Sequence, residues 1–293
     1  MAKDIRVRVA GLGEILWDLL PDGKQLGGAT TNFAWHAQAG GAASEIVSCV
    51  GNDDLGREIR DRLDGWGLGR SHMAMDPDHP TGTVSVTLEG DGVPHYVIHE
   101  DVAWDYTPWT ESLGALAREV DAVCFGTLGQ RAPVSRRTIR RFLDATRPNA
   151  LCVYDVNLRA TGDSADIVRD SLVLANVLKL NDAELPRIAA MVGLEGSERE
   201  MLSALVERYG LRLAALTRGP AGSLLVSPSA VSDHPGCPVR VVDTIGAGDA
   251  FTAAMVMALL NGEGLDAIND RANHAAAKAC SHPGGIPDLS GAR

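Results

Sequence analysis

Along most of the chain, short β-branched or apolar runs alternate with helix-patterned stretches. RVRVAGLG, NFAWHAQAGG, EIVSCVG and LGREIRDRLDGWG follow one another, and the alternation returns in DAVCFGTLG, RRTIRRFLDATR, ALCVYDVN, VLKLN, LRLAALTRG and GSLLVSP. A repeated strand-then-helix rhythm builds a mostly parallel sheet with helices on both faces, because parallel strands need crossover connections and helices supply them. The expected class is therefore α/β, with a mostly parallel central sheet flanked by helices. The 293 residues contain no Pro/Gly/Ser-rich linker and no repeat of 20–50 residues, so residues 1–293 are expected to form a single domain.

One stretch breaks the rhythm. From Gly82 to Glu100, two alternating runs flank Gly-Asp-Gly, the pattern of a β-hairpin. Such a hairpin does not easily join a parallel sheet, so it is expected to project as a small flap together with Ile15 to Leu20. The lid strands are expected at approximately 14–27 and 82–105, and flaps of this kind often cover a site.

With 27 basic against 38 acidic side chains, a net charge of −11 and a pI near 5.1, the chain is not built to coat phosphate backbones, so no nucleic-acid partner is expected. A local anion site, and hence a nucleotide ligand, stays open. No apolar run reaches the ~20 residues of a membrane helix; Ala250 to Leu260 is shorter and is interrupted by Thr252. The charged opening MAKDIRVRVAGLG lacks the apolar stretch of a signal peptide. No membrane partner and a cytoplasmic location are expected. The scattered cysteines Cys49, Cys124, Cys152, Cys237 and Cys280 form no C-x-x-C pair and read as reduced thiols, and the eight histidines show no metal-binding spacing.

The sharpest local signal is VVDTIGAGDAF, Val241 to Phe251, running into TAAMVMALLNG. Gly246-Ala247-Gly248 exposes backbone N–H groups at the start of a helix that should reach about Leu260 and stop at Asn261-Gly262. Unpaired N–H groups at the positive end of a helix attract anions. Asp249 lies in the same first turn, where a carboxylate either caps the helix or does chemistry. Gly11-Leu12-Gly13 lacks the third glycine of a dinucleotide fingerprint, which disfavours a dehydrogenase.

Asp243 to Phe251 resembles the D-T-x-G-A-G-D-A-F signature of the PfkB/ribokinase family of carbohydrate kinases. Further blocks resemble the family in the same order: GEILWDLLPDG with GGATTNFAWHAQAGG, VGNDDLG, DVNLR, KLNDAEL and TRGPAG. Thr30-Thr31 departs from the Pro-Ala or Lys-Gly-Ala common at that place. The resemblance covers nearly the whole chain and implies a ribokinase-like fold and an ATP-dependent, Mg²⁺-requiring sugar kinase.

What the resemblance implies for individual residues is as follows. Asp249 takes a proton from a sugar hydroxyl, while the Gly246-Ala247-Gly248 turn and the N–H of Asp249 receive the phosphoryl group. Asp18, Gly27, Gly28 and Asn32 hold sugar hydroxyls. Thr217, Gly219, Gly222, Asn181 and Asn273 serve the nucleotide, with Asn273 on the adenine side. Glu184 orients Mg²⁺ through water, although Asn181 and Glu184 can equally form a helix capping box. A K⁺-type site built mainly from backbone carbonyls is expected near Asp243, Ile245 and Ser281–Gly285.

HEDVAWD, CFGTLGQR and DVNLR resemble fructokinase-like members. Trp104 is a candidate for packing on a hexose face, or a plain core residue. Arg159 reaches an anionic group or forms a surface ion pair. Fructose or a similar ketohexose is the expected substrate. A 2-keto-3-deoxygluconate or nucleoside kinase, and a non-catalytic sugar- or nucleotide-binding regulator, are the alternatives. The flap's open edges allow a homodimer through the lid.

Overall fold

The computed structural model describes residues 6–20, 23–88, 94–159 and 164–286. Its elements in chain order are β1 (Arg8–Leu12), β2 (Leu16–Leu20), β3 (Gly23–Gly27), α1 (Ala29–Ala39), β4 (Ala43–Gly51), α2 (Asp54–Gly65), β5 (Met73–Asp76), β6 (Thr83–Leu88) and β7 (Pro94–Ile98). There follow α3 (Glu111–Ala117), β8 (Ala122–Gly126), α4 (Pro133–Asp144), β9 (Leu151–Asp155), α5 (Ala165–Leu174), β10 (Val177–Asn181), α6 (Glu184–Val192) and α7 (Glu198–Tyr209). The last are β11 (Leu213–Thr217), β12 (Ser223–Val226), β13 (Val231–His234), α8 (Ala247–Leu260) and α9 (Leu265–Cys280).

Nine strands form the main sheet in the order β13-β12-β11-β10-β9-β8-β1-β4-β5. From β11 across to β5 every pairing is parallel, and β12 and β13 extend the edge in antiparallel fashion. Its central strands are buried on both faces; all five residues of β8 and of β9 are buried, as a sheet covered on two sides requires. Phe33, Phe251, Met255 and Ile268 bring α1, α8 and α9 onto one face. Leu116, Phe142, Val168, Ile188 and Leu202 bring α3 to α7 onto the other.

The expected flap is a separate four-stranded sheet, β3-β2-β6-β7. β6 and β7 pair as an antiparallel hairpin, and β2 docks parallel to β6. Gly90-Asp91-Gly92 lies outside the described residues. The lid strands end at Ile98, short of the expected 105, because Ala103–Tyr106 folds into a buried 3₁₀ turn. Among the described residues no helix is long and apolar enough to cross a membrane.

Candidate active site

From β1 the chain first builds β4 and β5 on one side of the main sheet and then β8 to β13 on the other, so strand order reverses between β1 and β8. Ligands of open α/β sheets bind at such a switch, beyond the carboxyl ends of the strands. The expected site motifs converge there. Gly13 and Glu14 follow β1, Val156 to Arg159 follow β9, and Asn181 and Thr217 are register partners at the ends of β10 and β11. The carboxyl end of the sheet thus brings together groups from Gly13 to Thr217 that are far apart in sequence.

Gly246 caps α8 with φ 76°, a left-handed conformation that favours glycine; a Cβ there would also sit 2.5 Å from Gly285 Cα. The N–H of Ala247 turns back to the Thr244 carbonyl at 3.3 Å. Of the turn expected to receive an anion, this leaves the N–H groups of Gly248 and Asp249, which make no such backbone bond among the described residues. Asn32, buried on α1, donates from Nδ2 to Asp249 Oδ2 at 2.8 Å. Asp249 is partly exposed. The protein packed around its carboxyl and the nearby Asp155 carboxylate nonetheless push its pKa up to about 7, against the opposing influence of Asn32 and Lys179.

Beneath this turn lies a charged group not singled out from sequence. Lys179 Nζ donates to Asp155 Oδ1 at 3.0 Å, with both side chains buried, and Thr252 Oγ1 on α8 donates to Asp155 Oδ2 at 2.8 Å. A Cβ on Gly248 would lie 2.9 Å from Lys179 Nζ, so the ammonium sits directly under the anion-facing turn. Burial alone would lower the Lys179 pKa, but Asp155, Glu184 and Asp249 raise it and keep the ammonium charged.

Asn181 and Glu184 form the reciprocal capping box: Glu184 N–H donates to Asn181 Oδ1 at 2.9 Å and Asn181 N–H to Glu184 Oε2 at 2.8 Å. Glu184 Oε1 also accepts from Leu158 N–H at 2.8 Å, which ties the D-V-N-L-R loop to α6. Its burial raises the carboxyl pKa, with Lys179 opposing. In the same loop Asn157 takes φ 43°, a left-handed conformation that Asn tolerates better than most side chains, and Arg159 is exposed.

On the sugar side, Asp18 leaves β2 partly exposed beside Gly27, where a Cβ would come within 2.4 Å of Asp18 Oδ2. Burial pushes its pKa up to about 6, with Arg159 opposing. Gly28 precedes α1. Glu14 is buried, accepts from Ala29 N–H at 3.2 Å through Oε1, and leaves Oε2 without a partner.

Two expectations are corrected. Trp104 is 1% exposed, and the Arg131 guanidinium lies 3.9 Å from its ring centroid. Arg131 is held there by Asp105, at 2.8 and 2.7 Å. The indole therefore braces the lid base and has no open face for a sugar. Asn273 is buried, and its Nδ2 is engaged by Ser223 Oγ, Asn269 O and Asn269 Oδ1 at 2.7–3.1 Å. It joins α9 to β12, and its amide N–H groups are spent on protein acceptors.

The nucleotide-side turn Thr217 to Gly222 joins β11 to β12, with Gly219–Ala221 as one 3₁₀ turn. Gly222, at φ 82°, packs so closely on His234 and Gly236 that any side chain would collide. Next to it a cleft of about 510 Å³ opens between the loop at 234–239 and α9, lined by Cys237, Val239, His274 and Lys278 among others. Asp243 Oδ1 accepts from Ile245 N–H at 3.0 Å and Oδ2 from Gly284 N–H at 2.8 Å, joining the two loops expected near a monovalent cation.

A glycine turn at the start of α8 with a buried lysine beneath it, a carboxyl whose pKa is pushed up to about 7 and a separate small sheet are the arrangement expected of a phosphotransferase of the α/β class. The pfkB family carbohydrate kinase profile matches residues 22–291. The chain belongs to that family, and with it is an ATP-dependent phosphotransferase acting on a sugar alcohol group. It is 30% identical to the sugar kinase PH1459 of Pyrococcus horikoshii over 277 residues, covering 89% of this chain and 85% of that one. The structure of PH1459 in complex with ATP superposes with a TM-score of 0.80 at 29% identity, covering 95% of this chain and 94% of the other. A fructokinase of Salmonella typhimurium is 32% identical over 267 residues, covering 87% and 85% of the two chains. An aminoimidazole riboside kinase of Salmonella typhimurium is 25% identical over 264 residues, covering 85% and 79%. The fold is the ribokinase-like one.

Proposed function

We propose that the enzyme transfers the γ-phosphoryl group of ATP to a hydroxyl of a ketohexose, with fructose as the preferred acceptor. The observation that carries this reading is the Asn32–Asp249 hydrogen bond, which joins the expected sugar-holding turn to the expected base. Asp249 removes the proton of the attacking hydroxyl, and a pKa near 7 suits that task because an ideal general base titrates near working pH. The N–H groups of Gly248 and Asp249, with Lys179 beneath them, offset the negative charge of the phosphoryl group in transit.

Asp18, Gly27, Gly28 and Asn32 hold sugar hydroxyls, and Arg159 stands at the mouth. Thr217, Gly219 and Gly222 approach the nucleotide phosphates, and the base lies in the cleft beside α9. Mg²⁺ keeps most of its coordination for phosphates and water and asks few protein carboxylates. The buried Glu184, with one lone pair left on each oxygen beyond the N–H bonds it accepts, fits that demand, and Asn181 stands beside it. Bound there, the ion would neutralise charge on the phosphate oxygens. K⁺ would be held by carbonyls of the Asp243–Ile245 and 281–285 loops. The lid closes over the sugar and excludes water, its edge offers a homodimer contact, and the reading is of a cytoplasmic enzyme.

The fructokinase relatives favour fructose, whereas the aminoimidazole riboside kinase relative keeps a nucleoside in view and Arg159 keeps 2-keto-3-deoxygluconate in view. A carboxyl tuned as Asp249 is serves no purpose in a regulator that only binds. An ADP-release assay over ketohexoses, 2-keto-3-deoxygluconate and nucleosides decides. The highest kcat/KM is expected for fructose, and a tenfold higher value for a keto acid or nucleoside overturns the assignment.

A further inference from the structure

Away from the sheet-end site, α4 and α5 enclose a cleft of about 470 Å³ whose chemistry is unlike the rest of this acidic chain. Five arginines line it: Arg131, Arg136, Arg137, Arg140 and Arg169. Two carboxylates, Asp166 and Asp170, oppose them. Asp105, which is ion-paired with Arg131, adds a third carboxylate, so the local balance is 5 − 3 = +2 in a molecule of net charge −11.

The arginines crowd their carboxylates. Arg136 and Arg140 both donate through Nη2 to the same oxygen, Asp170 Oδ2. Arg169 reaches Asp166 but spends Nε and Nη2 on the Met191 carbonyl. Arg137 is exposed and makes no hydrogen bond or ion pair among the described residues.

Three guanidinium N–H groups around the cleft are buried without an acceptor: Arg131 Nη1, Arg136 Nε and Arg140 Nε. Arg131 is itself 91% buried in its side chain, its 9% exposure notwithstanding the charge it carries, and is pinned by Asp105. A buried donor without an acceptor costs about 1–3 kcal/mol, more when charged, and planar guanidinium forks match oxyanions bidentately. A concave, arginine-lined space with orphaned donors is therefore complementary to a small group carrying several acceptor oxygens and about two negative charges.

We propose that this cleft is a second anion site that binds a phosphoryl dianion, either inorganic phosphate or the phosphate of a small monoester, independently of the sugar and ATP. Arg136, Arg137, Arg140 and Arg169 are not among the transfer-site residues, and binding there displaces the shared contact of Arg136 and Arg140 on Asp170. The turn before α4 adds Arg131, whose other contacts are the Trp104 ring, Asp105 and the His99 carbonyl at the lid base.

Calorimetric titration of the full-length enzyme with inorganic phosphate and, separately, with fructose 6-phosphate tests this, using neutral fructose as the control. Saturable binding of at least one phosphate probe is expected. In Arg136→Gln/Arg140→Gln that binding weakens at least tenfold while fructose affinity and kinase turnover stay within twofold. Loss of both probes assigns the phosphoryl group itself, and loss of the ester alone assigns the monoester. Should the double variant fail to fold, Arg137→Gln, which alters an exposed side chain, should weaken the same binding about threefold. No phosphate binding to the parent, or equal binding to parent and variants, overturns the proposal, the second result placing the anion at the α8 turn.

Discussion

Asn32 Nδ2 and Asp249 Oδ2 lie 2.8 Å apart across 217 residues of sequence. The amide comes from α1, which follows the Gly27-Gly28 turn proposed to hold the sugar, and the carboxylate from the first turn of α8, proposed to receive the phosphoryl group. One hydrogen bond therefore joins the two proposed halves of the site. It also favours the ionised carboxyl, the form that takes up a proton.

Asn32→Ala should for this reason act on rate and on pH together. The lost bond is expected to lower kcat/KM at least tenfold, about 1.4 kcal/mol in the barrier. Without the amide the Asp249 pKa rises, so the acidic limb of the pH–rate profile moves to higher pH. A profile of kcat/KM against pH checks both, and a fall in rate with an unmoved limb would mean that Asn32 holds sugar without tuning the base.

Asp18, beside Gly27, is expected to bind a sugar hydroxyl directly. Asp18→Ala should raise the sugar KM, or lower kcat/KM for sugar, at least tenfold while the KM for ATP stays nearly constant. Steady-state kinetics with each substrate varied in turn separate these effects. Unchanged sugar kinetics in a folded variant would remove Asp18 from the site.

Stability carries a further signature of the buried carboxyl. Asp249 has its folded pKa raised from 3.8 to about 7 by burial and by Asp155, so between those values the folded chain holds a proton that the unfolded chain has released. Its contribution is full below the unfolded pKa and is lost as pH rises toward about 7. The ligand-free Asp249→Asn variant should therefore gain in Tm over the parent as pH rises from about 4 to about 7, and hold that gain above. Thermal melts across this range check the sign, and a constant difference would show that Asp249 titrates normally.

How much of this was legible beforehand depends on the range of each interaction. The parallel sheet, the separate hairpin and the α8 start are written in local pattern: alternation, turn glycines and a helix-opening G-A-G. The capping box of Asn181 and Glu184 was readable for the same reason, since its partners lie three residues apart. Lys179, Asp155 and Thr252 were not singled out as a cluster, because their contacts span 24 and 97 residues and the strands that carry them look like ordinary core. Glu14 was hidden similarly at the end of a buried strand. Trp104 and Asn273 were misplaced because burial is a tertiary property: the partners that enclose them, Arg131 and Ser223, lie 27 and 50 residues away.

The central claim is that Asp249 is the general base, and Asp249→Asn tests it most directly. Asn keeps the size of the side chain and can still meet Asn32, but lacks the basic oxygen. A general base contributes about 10²–10⁴ in rate, whereas an acid that merely complements a helix start contributes about 0.3–1 kcal/mol to stability and nothing to chemistry. The purified, folded variant should bind ATP as the parent does and lose at least about a hundredfold in kcat on its best sugar. Turnover within threefold of the parent would contradict the mechanism.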